Sequence, residues 1–306
     1  MSAPLARGVP AAMLASAMRF SLLVLLVAGS VAGSVAHADP AADASKAFTA
    51  FVTSVASGAP TPGLALFITP FSDDAPVPAD LGAVKQLLDK PKVKIAHAAV
   101  SRGGKSAWLV GEVTAKLPNG ARRKAGSLRV SALLGLGADG WRVQATQWSA
   151  GVPNHATDRC GNIEPEWRFT SDVAKDLAAP VQAVLDAFAA MPVIADSPFG
   201  GDRSKLLALI SDDRGTVVLG SAAGERFVGG KAIKALFKKW HVTHTGAPDD
   251  FKGIPARAAA GPDGELMWMY TATRFHEQCT DYRSFFVLAK EPAGWRLVHQ
   301  HYSEHI

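Results

Sequence analysis

Apolar and polar residues alternate along the C-terminal third of the chain. A period of two puts successive side chains on opposite faces of a strand. The pattern predicts strands at 265–275, 282–290 and 294–303, and the same three-strand pattern occurs earlier at 106–117, 127–135 and 140–149. Turn residues separate them: Pro118-Asn119-Gly120, Ala138-Asp139-Gly140 and Pro292-Ala293-Gly294. Each set therefore reads as two antiparallel hairpins. Ahead of each set the period becomes helical. Phe48, Phe51, Val52 and Val55 form a stripe across 42–55, and Val173, Leu177, Val181, Val184, Leu185 and Phe188 form one across 172–190. Pro180 predicts a kink or break in the second helix, because proline lacks the N–H and clashes with the preceding turn. Shorter helices are expected at 81–88 and 231–240. These stripes are read as core.

The two halves share residues as well as period. Gly140-Trp141-Arg142-Val143 recurs as Gly294-Trp295-Arg296-Leu297, an offset of 154. At the same offset Arg129 meets Arg283, Ala132 meets Phe286, Leu134 meets Leu288, and Gln147-Trp148-Ser149 meets His301-Tyr302-Ser303. Ala107-Trp108-Leu109 matches Met267-Trp268-Met269 after a small length change in the hairpin. The chain is thus expected to hold a tandem duplication. The first domain covers 39–152, a linker with Pro153, Gly161 and Pro165 covers 153–170, and the second domain covers 171–306.

Residues 1–38 stand apart. Arg19 precedes an apolar run from Phe20 to Val31, and Ala36-His37-Ala38 fits a small-x-small cleavage site before Asp39. This is the pattern of a signal peptide, with translation starting at Met1 or Met18. A periplasmic or secreted location is expected, with no membrane segment after cleavage. In such a compartment the two cysteines, Cys160 and Cys279, are expected to form a disulfide. It would close a loop of more than a hundred residues, worth about 4–5 kcal/mol in the chain-entropy view.

Composition changes the picture little. The 306 residues are 48% hydrophobic and 19% charged, which suits two domains with their own cores and argues against wholesale disorder. The formal charge of +5 is scattered. Its densest cluster, Arg122-Arg123-Lys124, sits in a glycine-rich turn and reads as a solvated loop, so no nucleic-acid partner is expected.

In the second half, Gly224-Glu225-Arg226-Phe227-Val228-Gly229 precedes the 231–240 helix, after a strand at 216–220. The chain closes on Trp295-Arg296-Leu297-Val298-His299-Gln300-His301-Tyr302-Ser303. This sequence of motifs resembles the SnoaL-like domains of the ketosteroid-isomerase-like superfamily, to which nuclear transport factor two also belongs. The resemblance covers 172–306 well and reaches 40–152 through the duplication and its closing strands. It implies an α+β fold of two tandem cone-shaped domains, each a strongly bent antiparallel sheet with N-terminal helices packed on it. It also implies that the copies pair through their sheets, within one chain or as a homodimer.

The candidate chemistry lies in the second copy. By alternation Leu297, His299, His301 and Ser303 share one face of the last strand, and Val298, Gln300 and Tyr302 share the other. Ala145 and Gln147 stand where His299 and His301 do, so an active copy would be the second. Histidine titrates near neutrality and suits general acid–base work. Candidate catalytic residues are His299 and His301 as base, with Tyr270 as donor to a developing oxyanion. Candidate ligand-binding residues in the resembled cone pocket are Trp240, Trp268, Arg274 and Phe286. The aspartate base of the family's isomerases has no clear counterpart, since Asp281 falls in a predicted hairpin turn and Glu225 in a loop. His299, His301, His305 and His276 do not assemble a convincing zinc set from spacing alone, so no metal is expected. No phosphate loop, dinucleotide fingerprint or G-x-S-x-G is present, and no cofactor is expected. Three readings stay open: an exported protein holding a small apolar molecule in the second cone, an isomerase, dehydratase or cyclase with a histidine base, and a non-catalytic interaction module.

Overall fold

The computed structural model describes residues 39–70, 81–119, 122–151, 170–190, 203–222, 224–239, 255–275 and 280–304. Residues 1–38, Trp240, Cys160 and Cys279 lie outside them, and the expected signal peptide and disulfide with them.

The first half runs α1 (Pro40–Ser57), β1 (Leu66–Ile68), α2 (Leu81–Leu87), β2 (Val93–Val100), β3 (Ser106–Asn119), β4 (Arg122–Gly137) and β5 (Gly140–Ser149). Its sheet has the order β1-β5-β4-β3-β2. The second half runs β6 (Asp172–Val173), α3 (Ala178–Ala189), α4 (Ser204–Leu209), β7 (Val217–Leu219), β8 (Arg226–Val228), α5 (Gly230–Lys239), β9 (Ala256–Ala260), β10 (Leu266–Phe275), β11 (Thr280–Glu291) and β12 (Gly294–Glu304). Its sheet has the order β6-β9-β10-β11-β12-β7-β8. The class is α+β, with helices on one face of each sheet. The sheets are mixed rather than antiparallel, because β1 joins β5, β7 joins β12 and β6 joins β9 in parallel.

The halves share topology, with β7-β12-β11-β10-β9 repeating β1-β5-β4-β3-β2. They also share a register irregularity. Gln144 is an extra residue between the Leu133–Ala145 and Leu134–Val143 pairs, and Val298 is extra between Val287–His299 and Leu288–Leu297. Both bulges fall at the 154-residue offset. The hairpin glycines before them match too, Gly140 at φ 96° and Gly294 at φ 103°, a conformation that costs glycine little.

Pro180 does not kink a helix. It sits in the first turn of α3, where no helical N–H is needed, and a short 3₁₀ turn (Lys175–Leu177) occupies the residues before it.

The central strands of each sheet are buried on both faces. The helix side of each sheet closes over a cone. In the first domain Phe48, Val52, Leu128, Val130 and Trp148 fill it, and in the second Val184, Ile233, Met267, Met269, Phe286 and Leu288 do. The opposite faces form one cluster drawn from both sheets, with Leu66, Trp108 and Leu133 from the first against Trp268, Tyr270 and Phe285 from the second.

Candidate functional site

The bulge at Val298 decides where the histidines go. An extra residue in a strand shifts every later side chain to the other face. Leu297 faces the second cone, Val298 joins the cluster between the sheets, and Gln300 and Tyr302 return to the cone side, where Tyr302 meets Phe188. His299 and His301 therefore point away from the cone, into the junction between the domains. The expectation that both line the second-domain pocket is corrected accordingly. Trp268 and Tyr270 are corrected with them, since both belong to the inter-sheet cluster. Phe286 does face the cone, where its ring lies 5.4 Å from Phe188 as part of the packed core. Arg274 lies on β10 in register with Asp281, which is a strand residue rather than a turn residue.

At the junction the polar side chains make one chain of hydrogen bonds, and its direction follows from its ends. His299 Nδ1 lies 2.9 Å from the Val217 carbonyl, which only accepts, so Nδ1 carries the proton. A neutral ring then has its lone pair at Nε2, 2.7 Å from Ser131 Oγ, and Ser131 donates to it. With its proton used, Ser131 accepts from His301 Nδ1 at 2.8 Å. His301 Nε2 in turn accepts from Ser149 Oγ at 2.7 Å, and Ser149 accepts from Arg129 Nη2 at 3.2 Å. The order Arg129 → Ser149 → His301 → Ser131 → His299 → Val217 crosses between the domains three times and leaves no imidazole lone pair open.

Burial keeps both rings neutral. Desolvation pushes His299 down to about 3, against the pull of the Val217 carbonyl, and the nearby His97 adds to the fall. His301 is held well below its ordinary value by burial first, then by Arg129, His299 and Arg283. Trp108 stacks on His299 with ring centroids 5.3 Å apart.

The junction has an approximate two-fold relation. Arg129 of the first domain donates to the carbonyls of Gly220, Ser221 and Ala222 after β7. Its counterpart Arg283 donates to the Thr69 carbonyl after β1, at 2.6 Å. Ser149 holds His301, and its counterpart Ser303 holds Gln147 at 3.0 Å. This is the self-complementary pattern of a two-fold interface, made here within one chain. The odd members are Ser131, opposite Phe285, and His299, opposite Ala145, and they are the two that complete the chain.

In the second cone one polar group stands out. Gln300 is wholly buried, and neither its Oε1 nor its Nε2 has a hydrogen-bond partner. Its first-domain counterpart Thr146 is satisfied by the Ser131 carbonyl and by Trp148. Among the described residues no group of three or more His, Cys, Asp or Glu could hold a metal ion.

Sequence reasoning missed Ser131, Ser149 and Arg129 as parts of this site. The signals were the matched pairs Arg129 with Arg283 and Ser149 with Ser303, polar residues that recur at the 154-residue offset.

Residues 181–306 match the family model of SnoaL-like domains. Three solved structures show a similar fold over part of the chain. One is a protein of unknown function of the DUF3225 family from Pectobacterium atrosepticum (22% identity, 43% of this chain and 92% of that one, TM-score 0.31). Another is a cystatin-like fold protein from Burkholderia xenovorans (20% identity, 42% and 92%, TM-score 0.30). The third is a nuclear-transport-factor-two-like protein of unknown function from Methylobacillus flagellatus (15% identity, 45% and 98%, TM-score 0.31). A comparison with curated proteins finds no match.

Proposed function

From the match of residues 181–306 to the model of SnoaL-like domains, we propose that the protein is an exported, non-catalytic binding protein whose first domain serves as a fixed counterpart to the second. The hydrogen-bond chain carries this reading. Both candidate bases spend their lone pairs on serine hydroxyls inside the junction, with no exposed surface. A general base needs an open lone pair within reach of the proton it takes. The described polar side chains on the second cone face, Thr271, Ser284, Gln300 and Tyr302, can hydrogen-bond but do not accept a proton near neutral pH. Export is supported by the charged, apolar and small-residue segments of residues 1–38.

The test is α-proton exchange of simple and steroidal ketones in D₂O, followed by NMR with the chain 39–306. Exchange at the buffer rate is expected. Exchange above it that disappears in His299→Leu would overturn the reading and restore the enzyme.

Gln300 favours one specific ligand reading, a small apolar molecule in the second cone. A buried amide without partners costs about 1–3 kcal/mol per unsatisfied group. A ligand bearing a carbonyl or amide would relieve it. Gln300→Met, close in shape, should raise stability of the ligand-free protein by about 1–3 kcal/mol and abolish any melting-temperature gain from such ligands. A lowered melting temperature would show that the amide is satisfied without a ligand.

A further inference from the structure

An opening lies between the domains, away from both cones. It is a cleft of about 470 Å³, within the usual range for small-molecule sites, about 300–1,000 Å³. One wall comes from the end of β2, the turn after it and Trp108. The other comes from residues 211–216, Glu265–Leu266 and the β11–β12 turn. Its floor is apolar, made by Ala99, Leu266, Ala289 and Val298.

The cleft is held open by contacts beside it. Asp263 of the second domain accepts from Ser106 Oγ at 2.5 Å, from Ser101 Oγ and from the Lys105 N–H. Arg102 donates to the Lys290 carbonyl at 3.1 Å, tying the β2–β3 turn to the second domain. The two walls are therefore fixed relative to each other before any ligand arrives.

The rim is acidic, with Asp212, Asp213, Glu265 and Glu291 against Arg102 and Lys290. Three of these carboxylates are each aimed by one hydrogen bond. Asp213 accepts from the Gly215 N–H at 2.5 Å, Glu265 from the Gly103 N–H at 2.7 Å, and Glu291 from Ser211 Oγ at 2.5 Å. A carboxylate has about four acceptor positions, so each keeps capacity while its rotamer is held. On the same lining, His97 Nε2 is buried without a partner, close under Gly215, where any Cβ would lie 2.9 Å from the His97 ring.

We propose that this cleft binds a small organic cation, an amine on a compact apolar body, with the body on the Ala99–Leu266–Ala289–Val298 floor and the ammonium between Glu265, Glu291 and Asp213. The site is separate from the cone and stands whether or not the cone takes a ligand.

The probes are phenethylamine, 2-phenylethanol and 3-phenylpropanoate, which share a body and differ in charge. Amide shifts of the ¹⁵N-labelled chain 39–306 are followed by NMR at low salt. Phenethylamine should bind tightest and saturably, with its largest shifts at Gly103, Gly215 and Leu266. The double substitution Glu265→Gln, Glu291→Gln keeps hydrogen-bond acceptors and should weaken the amine about three- to tenfold, as expected for two partly exposed charge contacts. Ala289→Leu, and separately Ala99→Leu, should abolish binding by filling the floor while leaving distant amides unshifted. Equal or tighter binding of the alcohol or the acid overturns the cation assignment. Shifts centred elsewhere, or binding that survives both filling variants, overturn the site. The three-probe comparison on the unsubstituted chain decides the ligand class even if a variant fails to fold.

Discussion

Removing one oxygen should break the junction at its centre. Ser131 Oγ is the hub, donating to His299 Nε2 at 2.7 Å and accepting from His301 Nδ1 at 2.8 Å. Ser131→Ala leaves an imidazole lone pair and an imidazole N–H unsatisfied, both on wholly buried side chains. Each orphaned buried group costs about 1–3 kcal/mol, so the pair costs about 2–6 kcal/mol. Lost volume adds little, since only a hydroxyl goes. The assay is urea unfolding of the chain 39–306 at neutral pH, comparing midpoints at constant slope. Ser127→Ala, exposed on the same strand, is the control. If Ser131→Ala shifts the midpoint no more than Ser127→Ala, the chain of bonds does not hold the domains together as argued.

Further consequences follow from the same junction. His299 has a folded value of about 3 and an unfolded value near 6.5. Between them the unfolded chain binds more protons, so stability is present above pH 6.5 and is lost as pH falls toward 3. At pH 5 this one ring accounts for about 2 kcal/mol, and His301 adds in the same direction; unfolding midpoints that stay flat from pH 7 to 5 would contradict the burial of both rings. Arg129→Met should cost about 2–4 kcal/mol, because three loop carbonyls lose their donor; a loss no greater than that of the exposed Arg214→Met would remove the arginine from the account. Deleting Val298 removes the extra residue and makes Leu288–Leu297 and Val287–His299 successive pairs of a regular ladder, so His299 and His301 should keep facing the junction in a folded product, whereas Val298→Ala keeps the bulge and should cost about 1–3 kcal/mol. A deletion variant in which both histidines titrate near neutral pH would show that pairing with β11 does not set their faces.

The proposed binding role also explains the division of labour between the copies. The first domain supplies Ser131, Ser149, Arg129 and Trp108 to the junction, and the second supplies both histidines. Neither domain completes the hydrogen-bond chain alone. Separating them would expose the neutral rings and return them toward ordinary titration.

Local pattern was enough for most of the longer elements and for the repeated three-strand ending. Strands such as 106–117 and 294–303, the helices ahead of them, the Gly-Trp-Arg repeat and the SnoaL-like ending are all written in short-range periodicity and fixed offsets, which a single sequence carries. Five strands, β1, β2, β6, β8 and β9, are not predicted by the pattern, because they are short, alanine-rich or without clean alternation. The faces were not legible either. On β10 and β11 both sides are apolar, Met267, Met269 and Phe286 toward the cone and Trp268, Tyr270 and Phe285 toward the other sheet. A strand buried on both faces gives no polar side to mark the outside. The extra residue at Val298 then reverses the alternation, and a bulge exists only in the pairing of one strand with another. Whether His299 and His301 serve a pocket or a junction was therefore decided by strand register and by a second sheet packed against the first, and the residues that occupy their lone pairs lie more than a hundred and fifty positions away in sequence.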